Sequence, residues 1–329
     1  MSRPSILVAR YVLPELIDRL SQHFDVDANQ EDRVLTQPEL IARLQGKAGA
    51  FITANEKIDA ALLDACPGLR AVCTMAVGYN NIDVAACTAR DILVSNTPDV
   101  LTESTADFGF ALMMAAARRI TESERFLRDG RWTHWTYSLM NGVDVHGKTL
   151  GIFGMGRIGQ AIARRGAFGF GMKVIYHNRS QLPAAIETPL GARWVDKDTL
   201  LREADHLVLV VPYSPAVHHA IGADELALMK PSATLTNIAR GGVVDDAALV
   251  EALRSGRIGA AALDVYEGEP KLNLGLLDVP NVVLTPHIAS ATGATRKAMA
   301  DLAADNLIAA LTGGTPPTPI NPQVLPLKA

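Results

Sequence analysis

The fold class this sequence predicts is an α/β protein of two doubly wound parallel-sheet domains, and three observations predict it. Short apolar runs of strand length alternate with amphipathic helical segments along nearly the whole chain, as parallel sheets covered on both faces require. The 329 residues exceed what one hydrophobic core usually organises. The third observation is a glycine-rich turn, Gly154-Met-Gly-Arg-Ile-Gly159. It joins the apolar run Thr149-Leu-Gly-Ile-Phe153 to a helical stripe of Ile158, Ala161 and Ile162, so a buried strand turns sharply into a helix.

The elements follow in order. Residues 5–9 and 24–27 read as short strands around a helix at 14–24, with Leu16, Leu20 and Phe24 inward. Thr36, with Pro38 and Glu39 behind it, reads as a capping box opening a helix to Leu44. Apolar runs at 48–53, 69–74 and 92–95, separated by helical segments at 58–66 and 83–90, complete a five-stranded first sheet. The segment Met75-Ala-Val-Gly-Tyr-Asn-Asn-Ile-Asp83 leaves a strand's carboxyl end, where open α/β sheets bind ligands; Gly78 lets the backbone turn N–H groups toward a small anion.

Pro98 marks a crossing, and Thr102 is placed to cap a helix over 103–119. Its run 108–117 is apolar nearly all round; burial in the domain accounts for one face and a subunit interface for the other. The aromatic loop 130–137, with Trp132 and Trp135, reads as cover for a core rather than as substrate contact. Beyond the glycine turn, strands at 172–177, 193–195, 205–211, 233–239, 260–265 and 282–285 form the second sheet. Helices near Leu200, at 224–229 and one carrying Leu249, Leu253 and Ile258 separate them. A last helix at 292–311 stops at Gly313, and the proline-rich tail 315–322 cannot be helical.

Composition excludes several classes. A net charge of -4 and the absence of a long basic run argue against nucleic acid, and the apolar stretches are too short or too punctuated to span a bilayer. Met1-Ser-Arg-Pro leads straight into a strand without the apolar core of a leader. Cys66, Cys73 and Cys87 stand in apolar or helical settings with no CxxC spacing. A cytoplasmic protein with reduced structural thiols and no metal is expected.

In a strand–turn–helix context, Gly154 permits the tight turn, Gly156 lets backbone approach a pyrophosphate, and Gly159 lets helix and strand pack. The phosphates then sit on the helix N-terminus. This is the Rossmann arrangement. NAD enzymes place Asp or Glu at the end of the next strand, about 20 residues on. Here the residues are Asn178-Arg179-Ser180; Arg179 can pair with a ribose 2′-phosphate and Ser180 can donate to it. NADPH/NADP is therefore the favoured cofactor, with NADH/NAD as an alternative.

Three polar residues follow three apolar strands of that domain: Arg240, Glu269 and His287. A guanidinium there can hold a carboxylate and polarise a carbonyl, and a histidine supported by a carboxylate can deliver a proton. The pattern suits hydride transfer to a 2-keto acid.

In these residues the chain resembles the D-2-hydroxyacid dehydrogenase family. The likeness covers nearly the whole chain through Ala76-Val-Gly-Tyr-Asn-Asn-Ile-Asp83, Gly154-Met-Gly-Arg-Ile-Gly159, Asn237-Ile-Ala-Arg-Gly-Gly-Val-Val244, Leu263-Asp-Val-Tyr-Glu-Gly-Glu-Pro270 and Leu284-Thr-Pro-His-Ile-Ala-Ser290. It implies that Arg240 binds the substrate carboxylate and carbonyl, that His287 is the acid/base, and that Glu269 orients it and supports its charged form. It implies substrate contacts from the backbone N–H groups of Val77 and Gly78, and cofactor contacts from Arg157, Ile158, Pro212, Ile238 and Asp264. It also implies a flavodoxin-like substrate domain split between 1–100 and 289–329, a Rossmann cofactor domain over 101–288, and a homodimer through the cofactor domain. Formate dehydrogenases of the same fold carry Gln before the His, so Glu269 argues against that reaction.

Within the family the chain resembles the glyoxylate, hydroxypyruvate and 2-ketogluconate reductases, on Asn178-Arg179-Ser180 and the Glu-Gly-Glu-Pro context. The departures, Asn80 where Asp is common and Ala239, touch neither Arg240, Glu269 nor His287. Two other readings are an oxidoreductase acting on another small oxyanion such as phosphite, and a dinucleotide-sensing binding protein of the same fold.

Overall fold

Short runs of Val, Ile, Leu and Ala, too apolar to face water, become parallel strands in both halves of the chain. The computed structural model describes residues 3–325 and divides into two units, Met1–Leu101 with Ala291–Ala329, and Thr102–Ser290.

In the first unit β1 (Ser5–Val8), β2 (Asp25–Ala28), β3 (Gly49–Ile52), β4 (Ala71–Thr74) and β5 (Leu93–Ser95) form a sheet of order β2-β1-β3-β4-β5. Every pairing in it is parallel. That is the flavodoxin-like order. Helices α1 (Pro14–Ser21), α2 (Gln37–Leu44), α3 (Ala60–Ala65) and α4 (Val84–Thr88) make the crossovers. Leu16, Leu20 and Phe24 are all buried, although α1 ends three residues before Phe24. The capping box at Thr36 is present: Glu39 Oε2 accepts from the Thr36 N–H and hydroxyl. Those bonds, with Arg33 beside it, pull the Glu39 carboxyl down to about 2.

The second unit opens with α5 (Thr102–Ala117) and α6 (Ile120–Arg128). Its strands are β6 (Thr149–Phe153), β7 (Lys173–His177), β8 (Arg193–Trp194), β9 (His206–Leu209), β10 (Thr234–Asn237), β11 (Ala260–Leu263) and β12 (Val282–Leu284). Between them run α7 (Arg157–Arg164), α8 (Ala184–Leu190), α9 (Lys197–Glu203), α10 (Ala223–Leu228) and α11 (Asp246–Arg254). The parallel order is β12-β11-β10-β9-β6-β7-β8, so direction of winding switches between β6 and β9. Strand alternation sends Leu207 and Leu209 into one core and Val208 into the core on the opposite face. The chain then returns to the first unit as α12 (Gly293–Thr312), capped by Thr292 Oγ1 on the Thr295 N–H at 3.1 Å and closed by Gly313 at φ +83°.

The structure corrects several details. Thr102 is the first residue of α5 rather than its cap. Ile258 is buried but lies beyond α11, which ends at Arg254. Helices α6 and α8 and a π-helical turn at Arg165–Gly169 were not foreseen. The aromatic loop covers no core within the second unit: Trp132, Trp135 and Tyr137 are exposed by 55%, 75% and 87%. Cys66, Cys73 and Cys87 are free and buried, and burial pushes the Cys73 and Cys87 thiols up to about 12. Among the described residues no helix is long and apolar enough to cross a membrane.

Candidate active site

The glycine turn tests directly for a dinucleotide. Gly154 has φ +106°, and a Cβ on it would lie 2.8 Å from the Val210 backbone; at Gly159 it would lie 2.4 Å from Gly154 O. Nothing stands within 4 Å of the corresponding position at Gly156. Protein therefore closes around two of the glycines and leaves open the third, at the N-terminus of α7 where amide N–H groups point outward. These residues fit a pyrophosphate. Arg157 is exposed on the first turn of α7, while Ile158 packs against the core beneath.

At the end of β7, Asn178 Oδ1 accepts the Met155 N–H at 2.7 Å, and Asn178 O accepts Trp194 Nε1 at 3.1 Å. Asn178 thus ties the two turns together, and Arg179 and Ser180 remain exposed beside it. Pro212 is exposed after β9. Ile238 is 7% exposed, its Cδ1 packed against the Gly109 backbone, so its side chain belongs mainly to the core.

The three polar residues follow β10, β11 and β12, which are neighbours in the sheet. At the end of β10, the buried Asn237 folds the chain back on itself: Oδ1 accepts the Ala239 N–H at 3.0 Å and Nδ2 donates to Arg240 O at 3.1 Å. Arg240 Nη1 donates to Ala239 O at 2.7 Å. Burial pulls the Arg240 pKa down and the Glu269 carboxylate opposes that, yet a guanidinium stays charged at neutral pH.

His287 Nδ1 lies 2.8 Å from Glu269 Oε2. The other carboxylate oxygen accepts the Tyr266 N–H at 2.9 Å, so both oxygens of Glu269 are oriented. Burial raises the Glu269 carboxyl, but the His287 hydrogen bond and charge, the Tyr266 N–H and Arg240 together hold it below its usual value. The pair is a carboxylate kept ionised against an imidazole whose Nε2 is left for chemistry. His287 sits at φ +54°, a left-handed conformation that costs a non-glycine residue about 1–3 kcal/mol and needs support from its surroundings.

That support comes from Asp264, 1% exposed at the end of β11. Its Oδ1 accepts the Thr285 hydroxyl at 2.7 Å and the Ile288 N–H at 2.9 Å, and its Oδ2 accepts the Ala289 N–H at 2.9 Å. The carboxylate brackets His287 from both sides along the chain. Tyr266 adds a second brace, its hydroxyl donating to Thr285 O at 2.8 Å. Asn237, Tyr266 and Thr285 were not singled out from sequence; the signal available was the polar residues embedded in the Asn237-Ile-Ala, Asp264-Val-Tyr and Leu284-Thr-Pro-His runs.

Val77 and Gly78 lie in the first unit, half-buried in the loop after β4. Asn96 Nδ2 donates to Val77 O at 2.8 Å and the Thr97 N–H donates to Ala76 O at 2.9 Å, which fixes that loop.

A cleft of about 550 Å³ opens elsewhere in the second unit, lined by Arg119, Ser232, Arg254 and Asn281 among others. It lies by the amino ends of β10, β11 and β12. Ligands of open α/β sheets bind at the carboxyl ends, and the polar residues converge there.

Residues 110–289 match the family described as D-isomer specific 2-hydroxyacid dehydrogenase, NAD binding domain. Over 330 residues the chain is 46% identical to the glyoxylate reductase of Thermococcus kodakarensis, covering 99% of this chain and 98% of that protein. It is 46% identical over 326 residues to glyoxylate/hydroxypyruvate reductase B of Klebsiella pneumoniae, covering 98% and 99%. Among solved structures it is similar to the NADPH-dependent glyoxylate/hydroxypyruvate reductase of Sinorhizobium meliloti in complex with NADP and malonate. That likeness has a TM-score of 0.89 at 37% identity and covers 100% of each chain.

Proposed function

Because the chain belongs to the D-2-hydroxyacid dehydrogenase family, an NAD(P)-dependent enzyme family, we propose that it uses NADPH to reduce small 2-oxo acids to D-2-hydroxy acids. Glyoxylate and hydroxypyruvate are the first substrates, as the names of its relatives suggest, and 2-ketogluconate is a third. The observation that carries the reading is the His287–Glu269 pair at 2.8 Å with the half-buried Arg240 on the neighbouring strand end.

A dinucleotide held by its pyrophosphate at Gly154–Gly159 would supply hydride, from its reduced nicotinamide, to C2 of the acid. Arg240 binds the carboxylate and polarises the carbonyl. His287, charged and held through Nδ1 by Glu269, gives the Nε2 proton to the carbonyl oxygen as the alcohol forms. In the first unit, the backbone N–H groups of Val77 and Gly78, on the half-buried loop after β4, suit a small carboxylate.

Arg179 and Ser180, exposed beside the anchored Asn178, favour the 2′-phosphate and hence NADPH over NADH. A homodimer through the second unit is supported by the exposed Ala111 of α5 and by exposed Leu127, Trp132 and Trp135.

The test is the initial rate of NADPH and NADH oxidation with glyoxylate, hydroxypyruvate and 2-ketogluconate, for the parent, Arg179→Ala and His287→Gln. A faster NADPH rate that Arg179→Ala loses is expected, together with collapse of turnover but not of cofactor affinity in His287→Gln. A preference for NADH untouched by Arg179→Ala overturns the cofactor reading; turnover retained by His287→Gln overturns the acid/base.

A further inference from the structure

We propose that His218, His219 and Glu267 form a binding site for a divalent first-row cation, zinc foremost, that clasps the loop after β9 to the loop after β11. The proposal stands independently of the reductase reading. One ligand atom from each of the three residues lies within 4.8 Å of the others. The two imidazoles stack with centroids 3.9 Å apart at 22°. Their Nε2 atoms face the two oxygens of one carboxylate, His219 at 3.0 Å from Oε2 and His218 at 4.0 Å from Oε1. Tetrahedral zinc with its usual bond lengths sets ligand atoms about 3.3 Å apart. The observed spacings lie on either side of that value, and the stacked rings, whose lone pairs lie in their own planes, must turn about their side-chain torsions to point at one ion.

An ion pair with Glu267 needs only His219. It gives no reason for the neighbouring histidine to turn its Nε2 toward the same carboxylate. In extended backbone, successive side chains point to opposite sides; His219 instead adopts φ +50°, held by its N–H on Gly242 O at 2.7 Å, and both rings fall on one side. Gly242 makes room for the arrangement, since a Cβ there would lie 3.1 Å from His218 Nδ1.

One outer nitrogen has a hydrogen-bonding partner, and the other faces a carboxylate beyond hydrogen-bond distance. His218 Nδ1 lies 3.2 Å from the Tyr213 hydroxyl, and His219 Nδ1 lies 3.9 Å from Asp245 Oδ2. Histidines that bind metal through one nitrogen commonly engage a hydroxyl or carboxylate through the other, which fixes tautomer and ring orientation. Two imidazoles and a carboxylate suit zinc and its first-row neighbours rather than calcium or magnesium. The three side chains are 37–44% exposed, which leaves a fourth position for water. Glu267 stands two residues before Glu269 on the same loop, so an occupied site would stiffen the segment that carries it.

Isothermal titration of chelator-stripped full-length protein with zinc chloride tests this, backed by the visible absorption of bound cobalt(II). The variants are His218→Ala and Glu267→Gln, with His134→Ala as a distant control and circular dichroism to confirm folding. One zinc per chain with micromolar or tighter affinity is expected, weakened about tenfold or more in both site variants and unchanged in the control. Absence of saturable binding by the parent, or affinity equal to the parent's in His218→Ala and Glu267→Gln, overturns the proposal.

Discussion

Replacing Asp264 by Asn removes one charge and one acceptor from the group that holds the His287 loop. The carboxylate takes three donors, at 2.7, 2.9 and 2.9 Å. An amide can keep its oxygen toward the Thr285 hydroxyl and Ile288 N–H, but its NH2 then faces the Ala289 N–H, donor against donor. The alternative orientation confronts Ile288 instead. One N–H is left unpaired either way, and Ala289 is only 9% exposed. An orphaned buried donor costs about 1–3 kcal/mol, and the two retained bonds lose their charge assistance; relief from burying a charge offsets part of this, for a net of about 2–4 kcal/mol. The strained backbone of His287 loses its brace at the same time. A displacement near 1 Å of an acid/base costs on the order of 10²-fold in rate.

The assay is a urea unfolding curve together with kcat and KM for glyoxylate at saturating NADPH. The expected result is a lower urea midpoint and a fall in kcat larger than any change in KM. Thr285→Val, which removes a single donor, should cost only about 1 kcal/mol. An Asp264→Asn protein with the parent midpoint and undiminished kcat would refute the bracing argument.

Three further outcomes follow from the same geometry. Asn237→Ala leaves the buried Ala239 N–H unpaired and loosens Arg240; a loss of about 1–3 kcal/mol in melts and a raised KM for the oxo acid are expected, and an unchanged KM would count against the positioning role. Gly241→Ala puts a Cβ 1.7 Å from Tyr266 O, a backbone atom that cannot yield without parting the two loops, whereas Gly256→Ala, at φ +68° with nothing within 4 Å, costs about 1 kcal/mol; equal melting shifts in the pair would contradict this. His206, fully buried in β9 between Thr234 Oγ1 and Asp144 O, is held by burial below its usual 6.5. As pH falls through 6.5 the unfolded chain takes up a proton that the folded chain refuses, so stability declines on the acid side of neutrality; His206→Gln should flatten that decline in melts between about pH 5 and pH 7, and an unchanged slope would dismiss it.

What the sequence disclosed was set by burial. Strands buried on both faces read as apolar runs, and the glycine turn and the residues at the ends of β10, β11 and β12 could be found by their position after those runs. Helix α6 could not: Ile-Thr-Glu-Ser-Glu-Arg-Phe-Leu-Arg has no buried residue, and its visible support includes the Arg128–Glu124 and Arg119–Glu122 pairs rather than a packed stripe. The π-helical turn was equally silent. It accompanies a close approach, a Cβ on Gly166 falling 2.6 Å from Leu150 Cδ2, which no local pattern encodes. Asp264 was legible as a residue at a strand end, but its grip on the chain around His287 depends on donors more than 20 residues away.

The return of α12 to the first sheet dictates an order of assembly during synthesis. Leu307 and Leu311 cover Gly49, where a Cβ would lie 2.8 Å from each, and Met299, Ala303 and Ala304 are buried with them. All five strands of that sheet leave the ribosome long before this cover exists, because residues 102–290 are made in between. Domains usually fold from the N-terminal end as they emerge. Here the unit begun first can be completed only last, and the second unit, continuous in sequence, can finish ahead of it. Substitutions that loosen α12 therefore prolong the nascent life of an open apolar sheet, and their effect falls on the yield of folded protein rather than on the turnover of the molecules that succeed.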